Sequence, residues 1–321
     1  MKADHLLDRL LEGSVVGSFS RLGHAARSRT GDWTDLGSLD LRGRTVAITG
    51  PTSGLGTATA RTLRRLGAHL VLIARNADKT AMTADALRTI EAPGDIHQVI
   101  ADMGDLEAVR RAAESIRALG PLDVLVHNAG ALTKDRQVSP QGIEMTIASH
   151  VLGPFLLTAL LRDMVTGRVL TVSSGGMYAA ALPDLVAGRS LEMPEASYDG
   201  TRQYAIAKRA QVTLNEMWAE KYDTPAFYAM HPGWADTPGV QQSLPLFRVV
   251  TKPLLRTADE GADSIVWLAA APQLDLPSGS FVGDRARRPI HRLPMTRRSD
   301  TAANRAALWS WCVERSGATG L

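Results

Sequence analysis

The sequence predicts an α/β protein, a doubly wound parallel sheet in one domain with an extension at each end. Three observations predict it. Short apolar, β-rich runs alternate with helix-like stretches from Arg44 onward, the pattern of parallel strands covered on both faces by crossover helices. The first run, TVAITG, passes through a glycine-rich turn straight into a helix-like stretch. Nothing between these units reads as a linker or a repeat, and 321 residues at 45% hydrophobic and 21% charged are enough to bury one full core.

The elements follow in order. Residues 1–40 read as an N-terminal extension with a short amphipathic helix, and residues 41–284 as the sheet domain. The strands TVAITG, HLVLIA and IHQVIAD are separated by helices opening near Gly54 and Asp78. A helix from Asp105 to Leu119, a strand DVLVHNAG and a long helix from Ile143 to Met164 continue the alternation. Then come a strand RVLTVSS, a helix from Arg202 to Tyr222 and a strand AFYAMHPG. Residues 285–321 form a basic C-terminal extension, a loop followed by a helix around Ala302 to Arg315. Leu308, Trp309 and Trp311 of that helix are expected to anchor it on the domain.

Composition excludes several classes of function. A single Cys312 rules out an internal disulfide framework and fits a cytoplasmic location. No apolar stretch of about 18 residues suggests a spanning helix. Asp4, Asp8 and Glu12 interrupt the N-terminus where a signal peptide needs an apolar core. A net charge of +3 makes no case for nucleic acid or a membrane surface. The segment RARRPIHRLPMTRR places Arg285, Arg287, Arg288, Arg292, Arg297 and Arg298 close together. It lacks interleaved aromatics for stacking bases, and a solvated loop is the expectation. No cluster of His, Cys and carboxylates has metal-ligand spacing.

The turn after the first strand, GPTSGLG, places Gly50, Gly54 and Gly56 where a strand becomes a helix. Gly50 permits a sharp exit from the strand, while Gly54 and Gly56 let backbone approach a diphosphate and pack against the sheet. With Thr52, Ser53 and Leu55 they bring unpaired N–H groups and the positive end of a helix dipole to an anion. The spacing G-x-x-x-G-x-G differs from G-x-G-x-x-G, and by itself plain turn chemistry competes with this reading.

TGPTSGLG, then HNAG (His127 to Gly130), a serine in VSSGG, YAIAK (Tyr204 to Lys208) and HPG occur in that order. Together they resemble the short-chain dehydrogenase/reductase superfamily over roughly residues 41–284. The resemblance implies a Rossmann fold, a nicotinamide dinucleotide and hydride transfer between it and a carbonyl or secondary alcohol. Tyr204 then fits the proton donor. A phenol titrates near pH ~10, too high for ready acid/base work at neutral pH. Lys208, one helical turn on, projects from the same face and would favour the phenolate; in the family it also holds the nicotinamide ribose. An isolated Y-x-x-x-K would instead be a solvated surface pair. Ser174 ends its strand where an open parallel sheet puts its ligand, and its hydroxyl would hold the substrate oxygen. Ser173 is the competing candidate; strand alternation points the two in opposite directions, and the resemblance to the family implies that Ser174 is the catalytic one.

In the family a helix-borne asparagine completes a tetrad and holds a water that links the lysine to solvent. Counting 22 residues on from Asn128 reaches His150, in IASHVLGPF. Histidine also donates and accepts hydrogen bonds, so His150 is expected to relay protons. The alternative is that the exchange marks a dinucleotide-binding scaffold or sensor with weak or no turnover.

Cofactor choice is read after the second strand. No carboxylate stands there to bond a ribose 2′-hydroxyl; LIARN offers Arg75 for a 2′-phosphate, next to Asn76. NADP(H) is therefore favoured over NAD. Asp102 and Met103 are expected by the adenine. Asn128, Ala129 and Gly130 are expected beside the adenosine, and Pro232, Gly233 and Thr237 near the nicotinamide or phosphates. His127 and His231 read as core residues. The long stretch between Ser174 and Tyr204 carries Met177, Tyr178, Leu182 and Leu185, and PGVQQSLPLFRVVTKPLL follows Thr237. Both read as apolar lids over the strand ends, which points to an apolar small-molecule substrate; the alternative for any single side chain is packing on the core or on a partner subunit. A homo-oligomer is compatible with the family.

Overall fold

The computed structural model describes residues 3–243 and 245–321. Three helices come first, α1 (Ala3–Glu12), α2 (Val15–Phe19) and α3 (Arg21–Thr30). The alternating section contains β1 (Thr45–Thr49), α4 (Gly54–Arg65), β2 (His69–Ala74), α5 (Ala77–Arg88), β3 (Ile96–Ile100), α6 (Leu106–Arg117) and β4 (Leu122–His127). There follow α7 (Met145–Ile147), α8 (Gly153–Leu161), β5 (Val165–Val172), α9 (Gly200–Lys221) and β6 (Ala226–Met230). The chain closes with α10 (Pro238–Ser243), α11 (Pro245–Thr251), α12 (Ala258–Ala270), β7 (Phe281–Gly283), β8 (Ala286–Arg287), α13 (Pro294–Ser299) and α14 (Ala302–Ser316).

The strands form one sheet of order β3-β2-β1-β4-β5-β6-β7-β8, parallel except for the β7–β8 pair. Alternate residues of each strand feed opposite cores. Ala47, Val71, Ile73 and Leu125 face α6, α8, α9 and α14, whereas Val46, Ile48, Leu70, Leu72, Val124 and Val126 face α4, α5 and α12. The chain runs outward from β1 to β3 and then returns to β4 on the other side of β1. The crevice beyond the carboxyl ends of β1 and β4 is therefore the topological switch point, the ligand site of such sheets.

The doubly wound sheet stands as expected, with three differences. The sequence reading did not resolve α12, β7 or β8; β7 has three residues and β8 two, too short for a periodic signal. The long helix before β5 is broken by a π-helical turn over Ala148–Leu152. As a whole, Met145–Met164 is apolar and long enough to cross a membrane, yet it lies in the protein core, with Phe155, Leu156, Leu157 and Leu161 buried. The arginine-rich stretch, expected as a solvated loop, is largely engaged. Arg288 is buried against Asp8, Arg285 pairs with Asp263 and Arg292 with Glu12, while Arg287, Arg297 and Arg298 stay exposed. Leu308 and Trp309 are buried in the core, with the Trp309 ring 4.8 Å from that of Trp218.

Candidate active site

The turn between β1 and α4 is built for close approach. Gly50 and Gly54 hold φ of +67° and +52°, a left-handed conformation open chiefly to glycine. A Cβ on Gly56 would lie 2.0 Å from the Gly50 carbonyl oxygen and 2.6 Å from Asn128 Nδ2, and one on Gly50 would lie 2.9 Å from Ala129 Cα. Asn128 Nδ2 donates to the carbonyls of Thr49 and Gly50, both at 3.0 Å. The N–H groups of Asn128 and Ala129 donate to Thr49 Oγ1 at 3.0 and 2.9 Å. The ends of β1 and β4 are thereby locked together. Ser53 opens α4 without capping it through its side chain, so first-turn N–H groups remain for an anion. Thr52 and Leu55 are half-buried beside it. A Cβ on Gly54 would meet Thr237 at 3.2 Å, which brings the chain after β6 over the glycine turn. Pro232 and Gly233 precede it, Gly233 with φ +72°. This cradle fits the diphosphate of a dinucleotide.

Arg75 ends β2 with an exposed side chain, its Nη1 3.8 Å from Asp102 Oδ2. Asn76 caps α5 by accepting from the Lys79 N–H at 2.8 Å. Asp102 Oδ1 accepts from the Gly104 N–H at 2.8 Å, and Met103 is buried in the core. Gly130 lies under His150; a Cβ there would be 2.8 Å from the ring.

At the end of β5 the two serines separate as strand alternation requires. Ser173 is buried and donates its hydroxyl to the Lys208 carbonyl at 2.9 Å. Ser174 is half-buried and accepts from the Gly176 N–H at 3.1 Å; a Cβ on Gly176 would lie 3.6 Å from its hydroxyl and 3.8 Å from the Tyr204 ring, so the two side chains face the same point. Burial raises the Tyr204 pKa above the ordinary phenol value, and the Ser174 hydroxyl opposes that rise. Lys208, on the same face of α9, is buried; its Nζ donates to the Val172 carbonyl at 2.9 Å and to Gln211 Oε1 at 3.1 Å. Nζ is 5.4 Å from the centre of the Tyr204 ring. Burial brings its pKa down to about 7.

His150 belongs to the π-helical turn. Its Nε2 accepts the Ala131 N–H at 2.9 Å, and its ring meets that of Tyr204 edge-on, centres 5.5 Å apart. Burial first, and then the Lys208 charge, push its pKa well below that of a free imidazole. The ring is neutral at neutral pH, and because Nε2 accepts, the proton sits on Nδ1. Nε2 is thus engaged with the backbone after HNAG, Nδ1 is buried without a hydrogen-bond partner among the described residues, and the His150 carbonyl accepts from Gln211 Nε2 at 2.6 Å. His127 donates to or accepts from Thr158 Oγ1 at 2.8 Å, and burial lowers its pKa to about 3; His231 likewise falls to about 3. Both are core residues.

Two contributors escaped sequence reasoning. Gln211 is one; its position seven residues after Tyr204 was the signal available. Phe19 is the other, delivered by α2. A Cβ on Gly175, next to Ser174, would lie 2.3 Å from the Phe19 ring, and the Phe19 carbonyl accepts the Trp234 N–H at 2.7 Å. The first expected lid is corrected. Met177 and Tyr178 are buried in a cluster with Phe19 and Phe281, and Leu182 is buried in the main core on which Leu185 packs, so these apolar side chains serve packing rather than a substrate cover. In the second, Val249 and Val250 are exposed, while Leu244 and the side chains of residues 240, 242, 243 and 245–247 lie outside the described residues.

Gly-rich turn, switch-point crevice, and a serine, tyrosine and lysine gathered beside it define a dinucleotide-dependent oxidoreductase of the Rossmann class. The chain belongs to the short-chain dehydrogenase/reductase family. The family pattern described as short chain dehydrogenase matches residues 44–181. Dehydrogenase/reductase SDR family member 12 of Bos taurus is 34% identical over 90% of this chain and 91% of its own. The polyprenol dehydrogenase of Mus musculus is 29% identical over 95% of this chain and 93% of its own. Among solved structures, a protein from Mycobacterium paratuberculosis superposes with a TM-score of 0.68 at 29% identity, covering 89% of this chain and 98% of that one.

Proposed function

We propose that the protein transfers hydride between NADP(H) and a carbonyl or secondary alcohol of an apolar small molecule. The observation that carries the chemistry is the convergence of Ser174, Tyr204 and buried Lys208 beside the cradle of Gly50, Gly54 and Gly56. A nicotinamide dinucleotide held at the Gly50, Gly54 and Gly56 turn would supply the hydride for the carbonyl carbon, or accept it from the alcohol in the reverse direction. Ser174 orients the substrate oxygen by hydrogen bonding, and the Tyr204 phenol gives that oxygen its proton. Lys208, when protonated, places a positive charge beside the ring of Tyr204 and so favours the phenolate that remains. His150 acts through its backbone carbonyl and by bracing the chain after HNAG.

The preference for NADP(H) rests on Arg75, exposed at the end of β2 with no carboxylate between residues 72 and 77. Its guanidinium matches a 2′-phosphate in charge and geometry. The L-sorbose reductase of Gluconobacter frateurii, of the same fold, was solved with NADPH. An apolar substrate is supported by the exposed Val249 and Val250 on α11 and by the polyprenol named for the mouse relative. Titration with NADPH and NADH, followed by nicotinamide fluorescence, tests the cofactor reading. Wild type binds NADPH more tightly, and Arg75→Ala weakens NADPH about tenfold while NADH changes little, the loss of about 1.4 kcal/mol from one charged contact. Equal weakening of both cofactors, or none, contradicts the assignment.

A further inference from the structure

Tyr204, Lys208 and Gln211 occupy one face of α9, at positions i, i+4 and i+7. Gln211 is buried, and both ends of its amide are engaged: Oε1 accepts from Lys208 Nζ at 3.1 Å and Nε2 donates to the His150 carbonyl at 2.6 Å. The orientation is forced, because an ammonium only donates and a carbonyl only accepts. The turning of this carbonyl toward Gln211 has its own cause. In a regular α-helix the His150 oxygen would accept from residue 154, and that residue is Pro154, which has no N–H. The π-helical turn over Ala148–Leu152 and Pro154 together turn this carbonyl toward α9.

We propose that Gln211 is a positioning residue for the reaction, a fixed amide bridge that holds the Lys208 amine between the Val172 carbonyl and the His150 carbonyl and supports its positive charge. The proposal rests on the hydride-transfer reading above. It departs from the family pattern, where a water held by an asparagine makes the link to lysine; here a side chain of the catalytic helix spans the same gap. Two of the three ammonium hydrogens are fixed, by Val172 and Gln211, which leaves one for the Tyr204 side. The titratable groups around this amine are few. Tyr204 faces it from α9 and His150 from the π-helical turn, while His127 of β4 lines a cavity with His150 and Gln211; β5 contributes the Val172 carbonyl. Tyr204 and both histidines are neutral at neutral pH. A neutral acceptor at Gln211 Oε1 is therefore a principal local support for the positive charge, and changing it moves the amine in a calculable direction.

The test uses two variants of opposite sign. In Gln211→Leu the ammonium loses an acceptor, and the Lys208 pKa falls; in Gln211→Glu a carboxylate faces it, and the pKa rises. The chain has six lysines, so carbon NMR of labelled lysine side chains, with Lys208→Met for assignment, follows the midpoint directly in the full-length protein. The expected result is a shift of about one pH unit or more in opposite directions. In alcohol oxidation the acid limb of the kcat profile moves up in Gln211→Leu and down in Gln211→Glu. At pH 7 kcat in Gln211→Leu falls on the order of tenfold with KM within about threefold. Midpoints that stay put, or move the same way in both variants, overturn the bridge even if the enzyme turns over. If Gln211→Leu does not fold, the Gln211→Glu shift alone decides. Opposed shifts in a protein that reduces no carbonyl would sustain the bridge and refute the hydride-transfer reading instead.

Discussion

Tyr204 is pulled two ways, its pKa raised by burial and lowered by the Ser174 hydroxyl, and Lys208 beside it has lost most of the basicity of a free amine. The second fact has a consequence for stability. The folded Lys208 pKa, about 7, lies below the ordinary 10.5, so between these values the unfolded chain binds the extra proton. The penalty for burying the ammonium is complete below pH 7 and is relieved as pH rises toward 10.5, by up to about 1.4 kcal/mol per pH unit. Denaturant unfolding of wild type and Lys208→Met at several pH values is expected to show wild type gaining on the variant across that window. A constant difference would contradict the burial of a titrating amine. At this scale the sequence was readable where chemistry dictates residue type. Tyr204 and Lys208 stand out through the resemblance of YAIAK and its companion motifs to the family, and Ser174 is chosen over Ser173 by alignment with the family, strand alternation showing only that the two point opposite ways. The hydrogen bonds of His150 were not readable, because they depend on where Ala131 and Gln211 come to rest.

The π-helical turn carries the least expected geometry among the elements. His150 is the acceptor for the Ala131 N–H, and Gly130 leaves just enough room for its ring. His150→Leu removes that acceptor and is expected to lower stability by about 1 kcal/mol, the net worth of one hydrogen bond. His150→Asn, whose amide oxygen restores an acceptor, should recover part of the loss and retain turnover. Thermal unfolding of the two variants decides; full activity and wild-type stability in His150→Leu would remove the role assigned here. The glycine turn was legible because backbone conformation and close approach both demand glycine at Gly50, Gly54 and Gly56. By contrast, α12 begins with a capping box of Thr257 and Glu260, a signal present in TADE that went unread. The strands β7 and β8 have no periodic signal of their own and exist because β6 offers an edge to pair with.

Across the whole molecule, the two ends of the chain meet behind the site through one ion-pair cluster. Asp284, buried in the turn between β7 and β8, receives Arg256 at 2.6 and 2.9 Å and Arg27 of α3 at 2.8 Å. Arg27 also reaches the Gly17 carbonyl at 2.7 Å, and Arg288 reaches Asp8 of α1 at 2.7 Å. The same docking brings Phe19 against Gly175 and Trp234. Such long-range pairing leaves no local trace, which is why the arginine-rich stretch read as solvated. Burial alone would raise the Asp284 pKa, but Arg256 and Arg27 outweigh it and hold it below the ordinary carboxylate value. Its contribution is present at neutral pH and is lost as pH falls through the folded value. Asp284→Asn leaves two guanidinium groups without their shared carboxylate and is expected to destabilise the fold by about 3–5 kcal/mol; a thermal midpoint within a degree of wild type would contradict this. The central claim is that this assembly moves hydride to a carbonyl with Tyr204 as the proton donor. The direct measurement is oxidation of NADPH, by nicotinamide absorbance, with a panel of apolar ketones and aldehydes, wild type beside Tyr204→Phe. The account predicts turnover in wild type, a loss of about a hundredfold or more in Tyr204→Phe, and NADPH affinity nearly unchanged. Equal turnover in the two proteins, or tight NADPH binding with no turnover in either, would contradict it.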